Sequence, residues 1–199
     1  GLGGYADVYA REEYLAPGTK LEMDLERRTI KHHSLSVLTS DYLGELKRTQ
    51  KSLVIIEGGA GPDLRTFETV CEVLSERKAD LTNIPIKIVI TDISRRMAAI
   101  TASKIRTSTL IDPKLNIETA VLAADVFELL EKLPDNSLTY ALLPFGVLSF
   151  GLDGKDPRQI LETINEKLIK GGGTLTTVYH SGWLNYSNQL KEIVRQLND

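Results

Sequence analysis

Ser52-Leu53-Val54-Ile55-Ile56-Glu57-Gly58-Gly59-Ala60-Gly61-Pro62 is the stretch that decides the fold of this 199-residue chain. Leu53 to Ile56 are four consecutive aliphatics, the mark of a strand covered on both faces, as in the middle of a parallel sheet. The glycines that follow let the backbone turn sharply and come close to a ligand, where a Cβ would stand in the way. Pro62 reads as the first residue of a helix, where its missing N–H costs nothing. Leu64, Phe67, Val70, Cys71 and Leu74 then recur on one helical face, which predicts a helix over Pro62–Lys78. Strand, glycine turn and helix start make the nucleotide-binding corner of a doubly wound sheet.

Strand and helix signals alternate on both sides of this corner. Upstream, Asp24–Lys47 is one polar, helix-prone stretch carrying Ile30, Leu35, Leu38, Tyr42 and Leu46 at helical spacing. Downstream, Ile86–Asp92 is a second strand ending in an acid, and a helix with Ser94 as its N-cap runs to Thr107. Asn116–Leu122 is a third strand leading into Ala123-Ala124-Asp125, and a short helix, Phe127–Leu133, closes at the turn Pro134-Asp135-Asn136. Leu138–Leu143 is a fourth strand. Pro157–Ile169 follows as a helix with Ile160, Leu161, Ile164 and Leu168 inward, and Gly171-Gly172-Gly173 breaks it. A β-branched fifth strand, Thr174–Tyr179, and a last helix, Leu184–Leu197, end the chain. This order predicts an α/β protein, a doubly wound and mostly parallel sheet with helices on both faces.

Composition narrows the class. The net charge of −3 gives no overall basic field. Cys71 is the one cysteine, so no internal disulfide forms, and its place on an apolar helix face reads as a buried small hydrophobe. No apolar run approaches the ~20 residues that cross a bilayer, and no signal peptide is recognised, so the expectation is a cytoplasmic protein with no membrane partner. The opening Gly1-Leu2-Gly3-Gly4 lacks a methionine and is given no weight. His32 and His33 follow Lys31 on a polar helix and read as solvated surface residues. No residue cluster has metal-ligand spacing.

Glu57, Asp92 and Asp125 each fall at or just past the carboxyl end of an expected strand, where open α/β sheets bind their ligands. A single acid there usually caps or solvates the strand. Three on successive strands beside a glycine turn fit a ligand with an ammonium group, a ribose diol and an adenine. Asp92 suits both ribose hydroxyls. Asp125 suits the exocyclic amine, with Val126 or Phe127 against the ring. Glu57 suits the amino-acid head or the hydrogen bonds that shape the loop. On this reading, alanine at 92 costs cofactor affinity and leaves the ligand-free melting temperature near wild type. Valine at Gly59 or Gly61 blocks the ligand.

The chain from about Leu53 to Tyr179 resembles the class I S-adenosylmethionine-dependent methyltransferases. Glu57-Gly58-Gly59-Ala60-Gly61 is similar to their first motif, and Asp92 to the acid closing their second strand. Ala124-Asp125-Val126 resembles the adenine-contacting segment, and Leu133-Pro134-Asp135-Asn136-Ser137-Leu138 the turn entering the fourth strand. Leu168-Ile169-Lys170-Gly171-Gly172-Gly173-Thr174-Leu175 is similar to the signature before the fifth. The resemblance implies a Rossmann-like fold and S-adenosyl-L-methionine as cofactor. The implied site is Glu57, Gly58, Gly59, Ala60, Gly61, Asp92, Ile93, Asp125, Val126 and Leu143. It also implies a division into an N-terminal helical or lid segment, 1–50, and a cofactor-binding domain, 51–199; the sequence departs from the family in showing no antiparallel strand pair of the kind that usually ends its sheet.

Rival readings differ in particular residues. A dinucleotide fingerprint needs a third glycine where Gly59-Ala60-Gly61-Pro62-Asp63-Leu64 has Leu64, and Asp63 would repel a pyrophosphate. A protein that binds the cofactor without chemistry is a second alternative. Aminopropyl transfer from decarboxylated cofactor is a third, but polyamines call for more acids than Leu142-Leu143-Pro144-Phe145 supplies. That segment, continuing as Leu143-Pro144-Phe145-Gly146, also lacks the amide or acid of enzymes that methylate nucleobase or glutamine amides, and reads as a turn lining the pocket.

Methyl transfer is an in-line displacement on an activated carbon, so positioning and desolvation supply most of the rate. A base is needed only when the nucleophile carries a proton. His180 is one candidate, and Tyr5, Tyr9 and Tyr14 belong to a segment able to cover the cofactor, but no catalytic residue is assigned. A small-molecule acceptor is favoured. Leu142, Leu143, Phe145, Val147, Leu148, Phe150 and Trp183 read equally as a pocket wall or as core. The alternative is an RNA (tRNA) or protein acceptor, with Arg27, Arg28, Lys31, Arg95, Arg96, Lys104 and Arg106 gathered into a basic face.

Overall fold

A computed structural model describes residues 17–61, 64–144, 147 and 156–176, with side chains from Asp24 onward. Among the described residues the strands are β1 (Leu53–Gly58), β2 (Ile86–Asp92), β3 (Ile117–Ala123), β4 (Leu138–Leu143) and β5 (Leu168–Thr176). The helices are α1 (Pro17–Val37) and α2 (Ser40–Arg48) before β1, then α3 (Arg65–Glu76), α4 (Arg95–Arg106), α5 (Val126–Lys132) and α6 (Pro157–Lys167) between the strands. The strands make one sheet of order β3-β2-β1-β4-β5, and every neighbouring pair is parallel. This is a doubly wound, Rossmann-like α/β fold. The chain order reverses between β1 and β4, so the crevice beside the end of β1 lies at the topological switch point.

β1 is central because its side chains are apolar toward both faces. Leu53 and Ile55 join Ile30 and Leu43 of α1 and α2, Phe67, Val70 and Leu74 of α3, and Ile105 of α4 in one cluster. Ile56 faces the other way, onto Val126, Phe127 and Leu130 of α5 and Ile160 and Ile164 of α6. Each aliphatic or aromatic side chain buried in this way stabilises the fold by roughly 1.5–3 kcal/mol. Phe67, Val70, Cys71 and Leu74 face inward from α3, as their spacing predicts. Burial, with the charges of Glu57 and Glu68, pushes the Cys71 thiol up to about 12, so it stays protonated and inert.

Several boundaries differ from the sequence reading. Asp24–Lys47 is two helices, because the Thr39 hydroxyl accepts the Tyr42 N–H at 3.2 Å and starts α2 afresh. α3 begins at Arg65 instead of Pro62. β3 lies one residue later, over Ile117–Ala123. β5 starts at Leu168, so the three glycines lie inside a strand and break no helix. Their reason is close packing: a Cβ on Gly171 would come within 2.9 Å of the Tyr42 ring, and one on Gly173 within 2.5 Å of Val37 Cγ2. The bare strand lets α1 and α2 close over the sheet. Leu161, expected inward, is exposed on α6. The last expected helix and the segment before Pro17 lie outside the described residues.

His33 is the other correction. His32 is exposed, but His33 is half-buried, stacked on Tyr140 at a ring separation of 5.5 Å. Tyr140 is fully buried on β4, and its hydroxyl accepts from Ser34 Oγ at 3.1 Å and lies 2.7 Å from His33 Nδ1. The Tyr140 hydroxyl can accept from Ser34 and still donate to Nδ1 when the imidazole is neutral. Burial, and then the neighbouring His32, hold the His33 pKa below its ordinary 6.5. A histidine depressed in the folded state lets the unfolded chain bind more protons, so its contribution is whole above the unfolded pKa and is lost as pH falls through the folded one. The melting temperature is therefore expected to fall from pH 7 toward pH 5, and His33→Gln is expected to flatten that slope. Thermal melts of both proteins across this range check it; identical slopes would contradict the assignment.

Candidate functional site at the carboxyl edge of the sheet

β1 ends in a loop whose two later glycines need the left-handed region, Gly59 at φ +67° and Gly61 at φ +64°. Only glycine adopts it without strain. The loop is tied to β2 at three points. Ala60 N–H donates to the Thr91 carbonyl at 3.1 Å, Gly61 N–H to Asp92 Oδ2 at 2.9 Å, and Thr91 Oγ1 to the Glu57 carbonyl at 3.1 Å. A fourth tie comes from α4, where Thr101 Oγ1 donates to the Gly61 carbonyl at 2.8 Å.

Asp92 is 9% exposed and works on two sides. Oδ2 holds Gly61, and Oδ1 accepts the Ser94 N–H at 2.8 Å, forming the turn that leads into α4. Ser94 caps that helix as expected, its hydroxyl accepting from Met97 N–H at 3.4 Å. The main chain of Asp92 meets the next strand as well, its carbonyl accepting from Ala124 N–H at 3.1 Å. The expectation that an alanine here leaves the ligand-free protein unaffected is thereby corrected: the carboxylate is a structural junction of β1, β2 and α4. Each oxygen keeps a second lone pair for a ligand hydroxyl.

Asp125 is the N-cap of α5, its Oδ1 accepting the Phe127 N–H at 2.8 Å. Ile93, immediately after Asp92, is 59% exposed at the same edge, an apolar side chain that the fold leaves uncovered. Glu57 is 3% exposed, on the face of β1 that carries α3. Ala60 is buried, while Gly59 and Gly61 are partly open. Among the described residues, its chain neighbours aside, none comes within 4 Å of where a Cβ on Gly61 would stand.

Three predicted site residues sit beneath the loop. A Cβ on Gly58 would come within 2.8 Å of Val126 Cγ1 and 2.9 Å of Leu143 Cδ2. Gly58 is thus the thin point where the start of α5 and the end of β4 close against β1. Leu142 and Leu143 are fully buried, in the cores on opposite faces of the sheet; Val147 packs on the cluster that holds Leu143 and faces Gly59. Phe145, Leu148, Phe150, His180, Trp183 and the N-terminal tyrosines lie outside the described residues. Thr91 and Thr101 escaped the sequence reading, because a threonine inside a strand or helix carries no local sign of the loop it will hold.

The basic face imagined for a polymer loses two members. Arg27 pairs with Glu68, and Lys31 reaches Glu76 at 2.6 Å and Glu72 at 3.9 Å, so these cations of α1 face the acids of α3. Arg65 turns back to Glu26 at 3.8 Å. Among the described residues no helix is long and apolar enough to cross a membrane, and no group of three or more His, Cys, Asp or Glu side chains is placed to hold a metal ion.

No protein-family model matches the chain, and no curated protein is similar to it in sequence. Among solved structures it is similar to loganic acid methyltransferase with SAH, at 12% identity and TM-score 0.46 over 79% of this chain and 55% of that one. The CMeT domain of the citrinin polyketide synthase overlaps 74% of this chain at 16% identity and TM-score 0.44, and a SAM-dependent methyltransferase from Aquifex aeolicus overlaps 72% at 16% and 0.39. This chain spans 36% and 67% of those two chains.

Proposed function

We propose that this chain binds S-adenosyl-L-methionine at the carboxyl edge of β1, β2 and β3 and transfers its methyl group to a small acceptor. The observation that supports this most is the pairing of an open, left-handed Gly61 with Asp92, which places a bare backbone and a carboxylate side by side at the switch point. The methionine part of the cofactor would run along Glu57–Gly61, where no side chain intrudes at Gly61. Asp92 would accept from the ribose diol with its remaining lone pairs, Ile93 would cover one face of the adenine, and Asp125 would accept from its exocyclic amine. Val126 and Leu143 would shape the floor through Gly58. Residues 1–50 would be an N-terminal helical or lid segment, with 51–199 as the binding domain. The sulfonium carbon is already activated, so this chain's part is to align it with the acceptor and exclude water.

A small acceptor fits better than RNA, because Arg27 and Lys31 already neutralise acids of α3. Calorimetry with S-adenosylmethionine, S-adenosylhomocysteine and NAD tests the cofactor. Micromolar binding of the first two, with none of NAD, is the expected result; NAD binding alone would overturn the reading. A salt series with mixed tRNA tests the acceptor, and tight salt-sensitive binding near physiological ionic strength would reverse the preference for a small molecule.

A further inference from the structure

We propose that Thr101, in the middle of α4, is a positioning residue for the cofactor: with Asp92 it fixes the two peptide units that flank Gly61, along which the ligand would lie. The inference rests on the cofactor reading above. Gly61 has both of its polar backbone groups held by side chains, the N–H by Asp92 from β2 and the carbonyl by Thr101 from α4, at 2.9 and 2.8 Å. Its Cα meanwhile looks into open space. Side chains from two separate elements thus fix the backbone on both sides of one partly open glycine.

The identity of residue 101 points the same way. It is 1% exposed on the buried face of α4, between Ala98 and Ile105, where valine would fill the same volume without a hydroxyl to desolvate. A helical threonine commonly bonds back to its own helix. Thr29, Thr69 and Thr107 do so here, toward Leu25, Arg65 and Ser103. Thr101 instead reaches forty residues back in sequence, to the loop.

Thr101→Val keeps the shape and removes the donor, while Thr101→Ser keeps the donor. In calorimetry with S-adenosylhomocysteine, the valine variant is expected to bind about tenfold more weakly, the scale of one net hydrogen bond, and the serine variant within about twofold of wild type. Amide hydrogen exchange of the ligand-free protein gives a second readout: Gly61 should exchange about tenfold faster in the valine variant, with β2 and the rest of α4 still protected. Thr101→Ala, which also lacks the hydroxyl, must behave as valine does if valine fails to fold. Wild-type protein without any S-adenosylhomocysteine binding would overturn the cofactor reading and this inference with it. Wild-type binding with equal affinity in the valine and alanine variants would overturn the positioning role alone, as would loss of protection spread evenly over α4 and β2.

Discussion

Asp92→Ala is expected to lower the ligand-free melting temperature by about 4–16 °C and to weaken cofactor binding at least tenfold. The carboxylate accepts two backbone N–H groups, from Gly61 and Ser94, in a nearly buried position. A hydrogen bond to a charged group contributes roughly 1.5–3 kcal/mol, and two at the edge of the fold, where water replaces part of the loss, come to about 2–4 kcal/mol. A domain of this size shifts by about 2–4 °C for each of those kilocalories. On the proposed reading, cofactor affinity falls for two reasons, since the ribose would lose its acceptor and Gly61 loses the tie that orients it. Asp92→Asn keeps one acceptor oxygen and should lie between. Circular dichroism melts without ligand, followed by calorimetry well below the lower melting temperature, separate the effects. An alanine variant that melts with wild type would show that the two N–H groups are satisfied as well by water.

The second large effect sets two glycines of one loop apart. Gly59 and Gly61 share a left-handed backbone, but their surroundings differ: a Cβ at 59 would stand 2.5 Å from Val147 Cγ2, whereas one at 61 meets nothing. Gly59→Val therefore combines left-handed strain of about 1–2 kcal/mol or more for a β-branched residue with overpacking of about 1–3 kcal/mol. A drop in melting temperature of about 4–20 °C is expected, together with loss of binding. Gly61→Ala carries only the strain, about 1–2 kcal/mol, yet puts a methyl group into the space proposed for the ligand. It should fold and still bind S-adenosylhomocysteine at least tenfold more weakly. Equal binding by Gly61→Ala and wild type would place the ligand elsewhere.

The fold was legible because its signals are local. Four aliphatics in a row, an acid at a strand end and a run of glycines each occupy a few neighbouring residues, and their alternation leaves little choice but a parallel sheet with crossovers. The glycine triplet misled for the same reason. Taken locally, Gly171-Gly172-Gly173 ends a helix; in the fold it is a strand thinned for Val37 and Tyr42, residues more than a hundred positions earlier. His33 misled too, because nothing near it announces Tyr140 on β4.

At the site, the same division applies residue by residue. The sequence alone determined that Glu57, Asp92 and Asp125 stand at strand ends and that bare backbone follows β1, since hydrophobic runs and turn residues set where strands stop. Only the tertiary structure decided what those groups do. It packs β2 beside β1, which turns Asp92 from a solvated strand end into the clamp on Gly61. It lays α4 across the loop, which gives Thr101 its carbonyl, and it closes α5 and β4 on Gly58, which brings Val126 and Leu143 against the start of the loop. The physical reason is that a hydrogen bond or a close contact between residues 30 to 110 positions apart depends on strand order and register, and no window of neighbouring residues carries that information.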